Sequence, residues 1–213
     1  MIKYFNSSYL AKLDRSETFF LIFKILFFFI FFSFIKGIYL VHFLGQENNN
    51  FMYGEYSYAT ILLLGTVWAP LKEEFTFRYF LDKKKYTAVI SFSLFVATVL
   101  LIITKMIFSI GTLSYLLFCI YAIIISPAVY YFVLTKRYVW NENNILYSSV
   151  LFGLVHLSNF NQDQFTLIEY YPYLIFYIIS ISFMGYIFAI IRIRFGMKYN
   201  LLIHSLFNLL VFI

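Results

Sequence analysis

Two adjacent glutamates, Glu73 and Glu74, and two of the three histidines, His156 and His204, stand inside long apolar stretches of this chain. Carboxylates and imidazoles accept and return protons near neutral pH. Together they can activate water, relay protons or hold a metal ion. Their stems are short, so from depth they cannot reach the headgroup layer as a lysine can. A charge at the bilayer centre costs roughly 2.5–3.5 kcal/mol on insertion scales, and such residues mark functional sites by default. Arg78 follows Glu74 by four positions, on the same helix face, and can pair with it. Glu73 points about 100° away and stays available for chemistry. Asn208 follows His204 at the same spacing, and His156 follows Phe152, with Gly153 between them allowing a neighbouring helix to come close.

Blander readings exist for each. Glu74 and Arg78 fit a structural ion pair, a single histidine fits a packing residue, and Asn208 fits interhelical glue. His42, at the outer interface, keeps the bland reading. For the rest, the joint pattern on three segments favours a site.

The elements that carry these residues are membrane spans. Of the 213 residues 62% are hydrophobic and 12% charged, against about 25% charged in soluble domains. With 29 Phe and 20 Tyr, most of the surface must face lipid. Apolar segments run at about 19–41, 57–81, 87–108, 112–134, 145–159, 169–191 and 198–213. The expected fold is an all-α polytopic bundle of about seven spans around a polar intramembrane cavity. Residues 1–56 form an N-terminal cytosolic arm, a first span and an outer loop, and residues 57–213 form the domain that holds the site. The first span lacks a small-residue cleavage site and reads as retained rather than as a cleaved signal.

The net charge of +6 does not point to nucleic acid, because the cations cluster in short loops between spans. Lys3, Lys12 and Arg15, then Lys83 to Lys85, then Lys136 and Arg137, then Arg192, Arg194 and Lys198 all fall on one side if the spans alternate. That places the N-terminus in the cytoplasm and the C-terminus outside. Lys24, Lys36 and Lys105 lie near span ends and snorkel, whereas Lys72 lies deep, beside Glu73. Cys119, the only cysteine, excludes an intramolecular disulfide and reads as a buried, inert thiol. At 1.5 Å per residue, Glu73 lies about 15 Å from Lys83, His156 about 18 Å from Asn144, and His204 about 9 Å from Lys198. These depths are compatible with one shared cavity, reached from the cytosolic side.

The segments Glu73-Glu74-Phe75-Thr76-Phe77-Arg78, Phe152-Gly153-Leu154-Val155-His156 and His204-Ser205-Leu206-Phe207-Asn208 have the forms EExxxR, FxxxH and HxxxN. In this order, each on its own apolar segment, they resemble the CAAX protease and bacteriocin-processing (Abi) family, which includes the type II CAAX prenyl endopeptidases. The resemblance implies an intramembrane endopeptidase in which Glu73 and His156 activate the attacking water. It implies that His204 and Asn208 stabilise the oxyanion, with Glu74 and Arg78 in support. The expected partners are a peptide or lipidated protein substrate and membrane lipids. No cofactor is favoured. The alternative is a zinc site of Glu73, His156 and His204, although no HExxH motif is present. A proton-coupled transporter and a non-catalytic immunity or scaffold protein are the rival classes. Inverted repeats and broken helix pairs, which would mark a transporter, are not visible. Residue usage points to an AT-rich, bacterial source and hence to the inner (plasma) membrane.

Overall fold

The computed structural model describes residues 57–82, 84–107, 113–135, 143–160 and 168–212, with scattered positions between 14 and 31. The first apolar segment is described only at such positions, and Lys36, His42, Lys136 and Arg137 lie outside the described residues. Everything described in 57–212 is helix or short connection, with no strand among the described residues.

Helix α1 (Tyr58–Leu63) runs through a π turn (Leu64–Trp68) into α2 (Ala69–Phe77). A 3₁₀ turn (Tyr79–Asp82) leads to α3 (Lys85–Ile107), followed by α4 (Leu113–Thr135). Next come α5 (Asn143–Val155), a 3₁₀ turn (His156–Asn159), a further 3₁₀ turn (Ile168–Tyr170), α6 (Tyr171–Phe195) and α7 (Met197–Phe212). Three stretches are long and apolar enough to cross a membrane: Lys85–Lys105, Leu116–Val133 and Tyr171–Phe195.

Helix α2 is the hub, packed against α3, α5 and α7, while α3 pairs with α4 and α5 with α6. The apolar core beneath it is built by Met184, Ile187, Phe188 and Ile191 of α6, with Ile203 and Phe207 of α7 packed on them. A second cluster, with Phe80, Leu81, Ala88, Val133, Ile145 and Ala189, joins the turn after α2 to α3–α6.

The π turn explains how Pro70 is tolerated inside a span. The Ala69 N–H bonds to the Leu64 oxygen, five residues back. In that register the Gly65 carbonyl would next need the N–H of residue 70, which is proline and has none. The Asn208 side chain of α7 supplies the missing donor, 2.8 Å from the Gly65 oxygen. A proline inside a helix and a π turn are both places where helix axes bend, and here the two adjoin and are sewn to α7.

Other boundaries differ too. The second span does not stay α-helical to residue 81: Arg78 leaves helical geometry at φ −133° and ψ −9°. His156 opens a 3₁₀ turn instead of lying within an α-helix. The expected basic loop between the last two segments is a single residue, Gly196, at φ 86° and ψ 175°, a conformation essentially reserved for glycine. Arg192 belongs to α6 and pairs with Asp82 at 2.5 Å, tying its end to the turn after α2. Cys119 is exposed rather than buried, because only 11% of the Leu116–Val133 stretch on α4 is covered by protein.

At Gly153 there is no room for a side chain between α5 and α6. A Cβ there would stand 2.0 Å from Ser182 Oγ and 2.8 Å from the Ile178 carbonyl oxygen. The hydroxyl can rotate away but the backbone oxygen cannot, so Gly153→Ala forces the two helices apart. We expect a loss of about 1–3 kcal/mol in stability, read as a lowered melting temperature in detergent. Ser182→Ala in the same chain should recover only part of it.

Candidate active site

Helix α2 presents its glutamates to two different environments, as their 100° separation requires. Glu74 is fully buried and Glu73 retains 16% side-chain exposure. Arg78, also fully buried, lies 2.6 Å from Glu74 Oε1. The guanidinium Nε donates to the Gly185 carbonyl at 3.3 Å, and its Cζ lies 4.3 Å from the centre of the Phe152 ring and 5.4 Å from that of Phe188. Gly185 is required for this fit: a Cβ there would lie 2.9 Å from Phe152 Cδ1 and 3.3 Å from Arg78.

His204 of α7 lies against both glutamates. Its Nδ1 is 2.8 Å from Glu74 Oε1, and its Nε2 is 3.4 Å from Glu73 Oε2. The ring stacks on Phe188 with centroids 4.2 Å apart and planes 22° apart, which fixes its tilt. The other Glu74 oxygen accepts from the amide of Asn200, a fully buried residue one turn before His204.

His156 closes the site from the turn that follows α5. Its Nδ1 is 2.6 Å from the Phe152 carbonyl oxygen and its Nε2 is 3.8 Å from Glu73 Oε1. A carbonyl only accepts, so Nδ1 carries the hydrogen and Nε2 is the nitrogen that faces Glu73. The same logic at His204 places a hydrogen on Nδ1, toward Glu74. With both rings neutral, two nitrogen lone pairs and a carboxylate face one another with no donor among them.

Of the residues singled out in the sequence, Glu73, Glu74, Arg78, His156 and His204 come together. Asn208 shares a helix face with His204, but one amide hydrogen goes to Gly65. The position that charge and motif both passed over is Asn200. The signal was present, since Asn200, His204 and Asn208 are spaced by four and share one helix face. No group of three or more His, Cys, Asp or Glu among the described residues is arranged to hold a metal ion.

No curated protein and no solved structure matches the chain. A family model does, the type II CAAX prenyl endopeptidase Rce1-like family, over residues 55–210. That match takes in α1–α6 and α7 through Leu210, and so every residue of the site. The chain therefore belongs to the type II CAAX prenyl endopeptidase Rce1-like family, whose members are CAAX proteases.

Proposed function

We propose that the protein hydrolyses a peptide bond near the C-terminus of a prenylated or otherwise membrane-associated polypeptide, using a water activated by Glu73 and His156. The observation that carries this reading is the meeting of the Glu73 carboxylate with Nε2 of His156 and Nε2 of His204, at 3.8 and 3.4 Å. Three acceptors around one point suit a molecule that brings hydrogens of its own, and water is the reactant that must lose one. Glu73 takes a proton as the water oxygen attacks the scissile carbonyl. The developing oxyanion forms beside His204, whose Nδ1 hydrogen is held by Glu74 and whose Nε2 orients the attacking water. Asn208 keeps one amide hydrogen for the same oxyanion. The proton on Glu73 then passes to the leaving nitrogen, directly or through His156, as the C–N bond breaks. Arg78 and Asn200 hold Glu74 in place.

The site belongs to a domain of residues 57–213 in a bundle of about seven spans. The bundle has a cytoplasmic N-terminus and an outer C-terminus in a bacterial plasma membrane, with the substrate entering from the cytosolic leaflet. The basic clusters support this orientation.

Glu73, His156 and His204 are residue types that zinc accepts, although they are not arranged as a metal site here, and one experiment separates the readings. Purified protein in detergent is assayed on prenylated and unprenylated peptides with and without a strong chelator, alongside metal analysis. We expect cleavage of the prenylated peptides to persist undiminished under chelation. Stoichiometric zinc removed together with activity would overturn the metal-independent mechanism.

A further inference from the structure

Lys72 takes no part in the machinery above, yet it directly precedes Glu73 in the hub helix. It is half-buried, and its Nζ lies 5.5 Å from the centre of the Phe118 ring on α4. No carboxylate among the described residues comes within ion-pair distance of it. The charges that act on it are Glu73, next to it in the chain, and a second cation, Lys105 of α3. A lysine deep in a span ordinarily pairs with an acid or lines a pathway for a charged ligand. Here an ammonium over an aromatic face makes no ion pair among the described residues, since Glu73, which acts on it, turns its carboxylate to the histidines.

We infer that Lys72 binds the free C-terminal carboxylate of the polypeptide being cleaved. The choice of occupant rests on the peptidase reading. A CAAX chain ends in three residues beyond its cysteine, followed by the carboxylate. Three extended residues span at most about 10–11 Å, so cleavage at the cysteine places the terminal charge within that distance of the water on Glu73. Lys72 and Glu73 are neighbours in sequence, and their side chains diverge by about 100°. The Cβ of a helical residue tilts toward the helix N-terminus, so the Lys72 ammonium lies on the Trp68 side of Glu73, away from Asp82 and the basic turn. A chain end entering past that turn meets Glu73 first and Lys72 last. Lys72 then measures the distance from the scissile bond to the chain terminus, which limits cleavage to the ends of polypeptides. Lys105 lies near the far end of α3, so a lipid phosphate is the competing occupant, and the test separates it from the peptide carboxylate.

The test uses binding, so it does not depend on turnover. In the Glu73→Gln background, the affinity for a prenylated peptide with a C-terminal carboxylate is compared with that for the same peptide ending in an amide. The comparison is repeated with Lys72→Met added, which keeps the stem and removes the charge. We expect the acid to bind about 10–100-fold more tightly than the amide, the worth of one charge-assisted hydrogen bond. Lys72→Met should abolish that preference and leave amide binding unchanged, which also shows that the variant is folded. Equal binding of acid and amide, binding of neither, or a preference that survives Lys72→Met would each overturn the inference. So would Lys72-dependent retention of an anionic phospholipid in place of the peptide. If the preference is found and no peptide is ever hydrolysed, the peptidase reading falls and the carboxylate site stands.

Discussion

Glu73→Gln is expected to lower kcat by about three orders of magnitude, within the range that a positioned general base supplies, with little change in KM. Glutamine keeps the shape and most contacts of the side chain but cannot take the proton from water. The geometry adds a signature that a structural role would not give. In the wild type, Glu73 faces two imidazole nitrogens that, in neutral rings, offer no hydrogen. The glutamine amide nitrogen replaces one of the two carboxylate oxygens and donates to the imidazole nitrogen that faced it. The variant should therefore melt in detergent at the wild-type temperature or above it while having lost activity. Inactivity accompanied by a lower melting temperature would point to a packing role, and retention of most of the activity would remove Glu73 as the base.

The largest effect on stability is expected at Arg78. Arg78→Met leaves Glu74 as a fully buried carboxylate with its 2.6 Å partner gone. Breaking a buried ion pair from one side costs about 3–5 kcal/mol, most of it the penalty of the orphaned charge. Met also gives up the guanidinium faces on Phe152 and Phe188 and the bond to the Gly185 carbonyl. Adding Glu74→Gln should restore much of the loss, because the amide is neutral and still accepts from His204 Nδ1. Thermal unfolding of the two single variants and the double variant checks this. A double variant as unstable as Arg78→Met alone would show that the rings, not the charge, dominate.

The site was legible to the extent that its residues are costly to bury. Glu73, His156 and His204 announced themselves because nothing apolar requires them at that depth, and helical rise alone placed them close to one level. Glu74 and Arg78 were readable as a pair from their spacing. Asn200 was not found, because an uncharged amide in an apolar helix carries little penalty that a composition reading can detect. Its role appears only once α7 lies against α2. The sharing of His204 between Glu73 and Glu74 was equally invisible: spacing suggested His204 with Asn208, whereas tertiary packing turned the ring to the glutamates and the amide to Gly65. The all-helical character followed from composition, but helix ends did not. Arg192, Arg194 and Lys198 read as a loop because they are charged; an ion pair to Asp82 and one glycine at φ 86° let the chain stay helical almost throughout.

The π turn at Leu64–Trp68 has a consequence for how this helix can vary. A π turn holds one more residue than the α-helical turn it replaces, and that residue shifts everything after it by about 100° in azimuth. The stretch from Tyr58 to Leu63 and the stretch bearing the glutamates are therefore out of phase, each aimed by its own neighbours. Lengthening or shortening the helix by one residue within this turn would swing Glu73 toward α3 or into the apolar core without altering a single catalytic residue. The lipid-facing portion can drift in sequence freely as long as its residue count is kept, because the aim of the carboxylates is set at the joint that Asn208 holds.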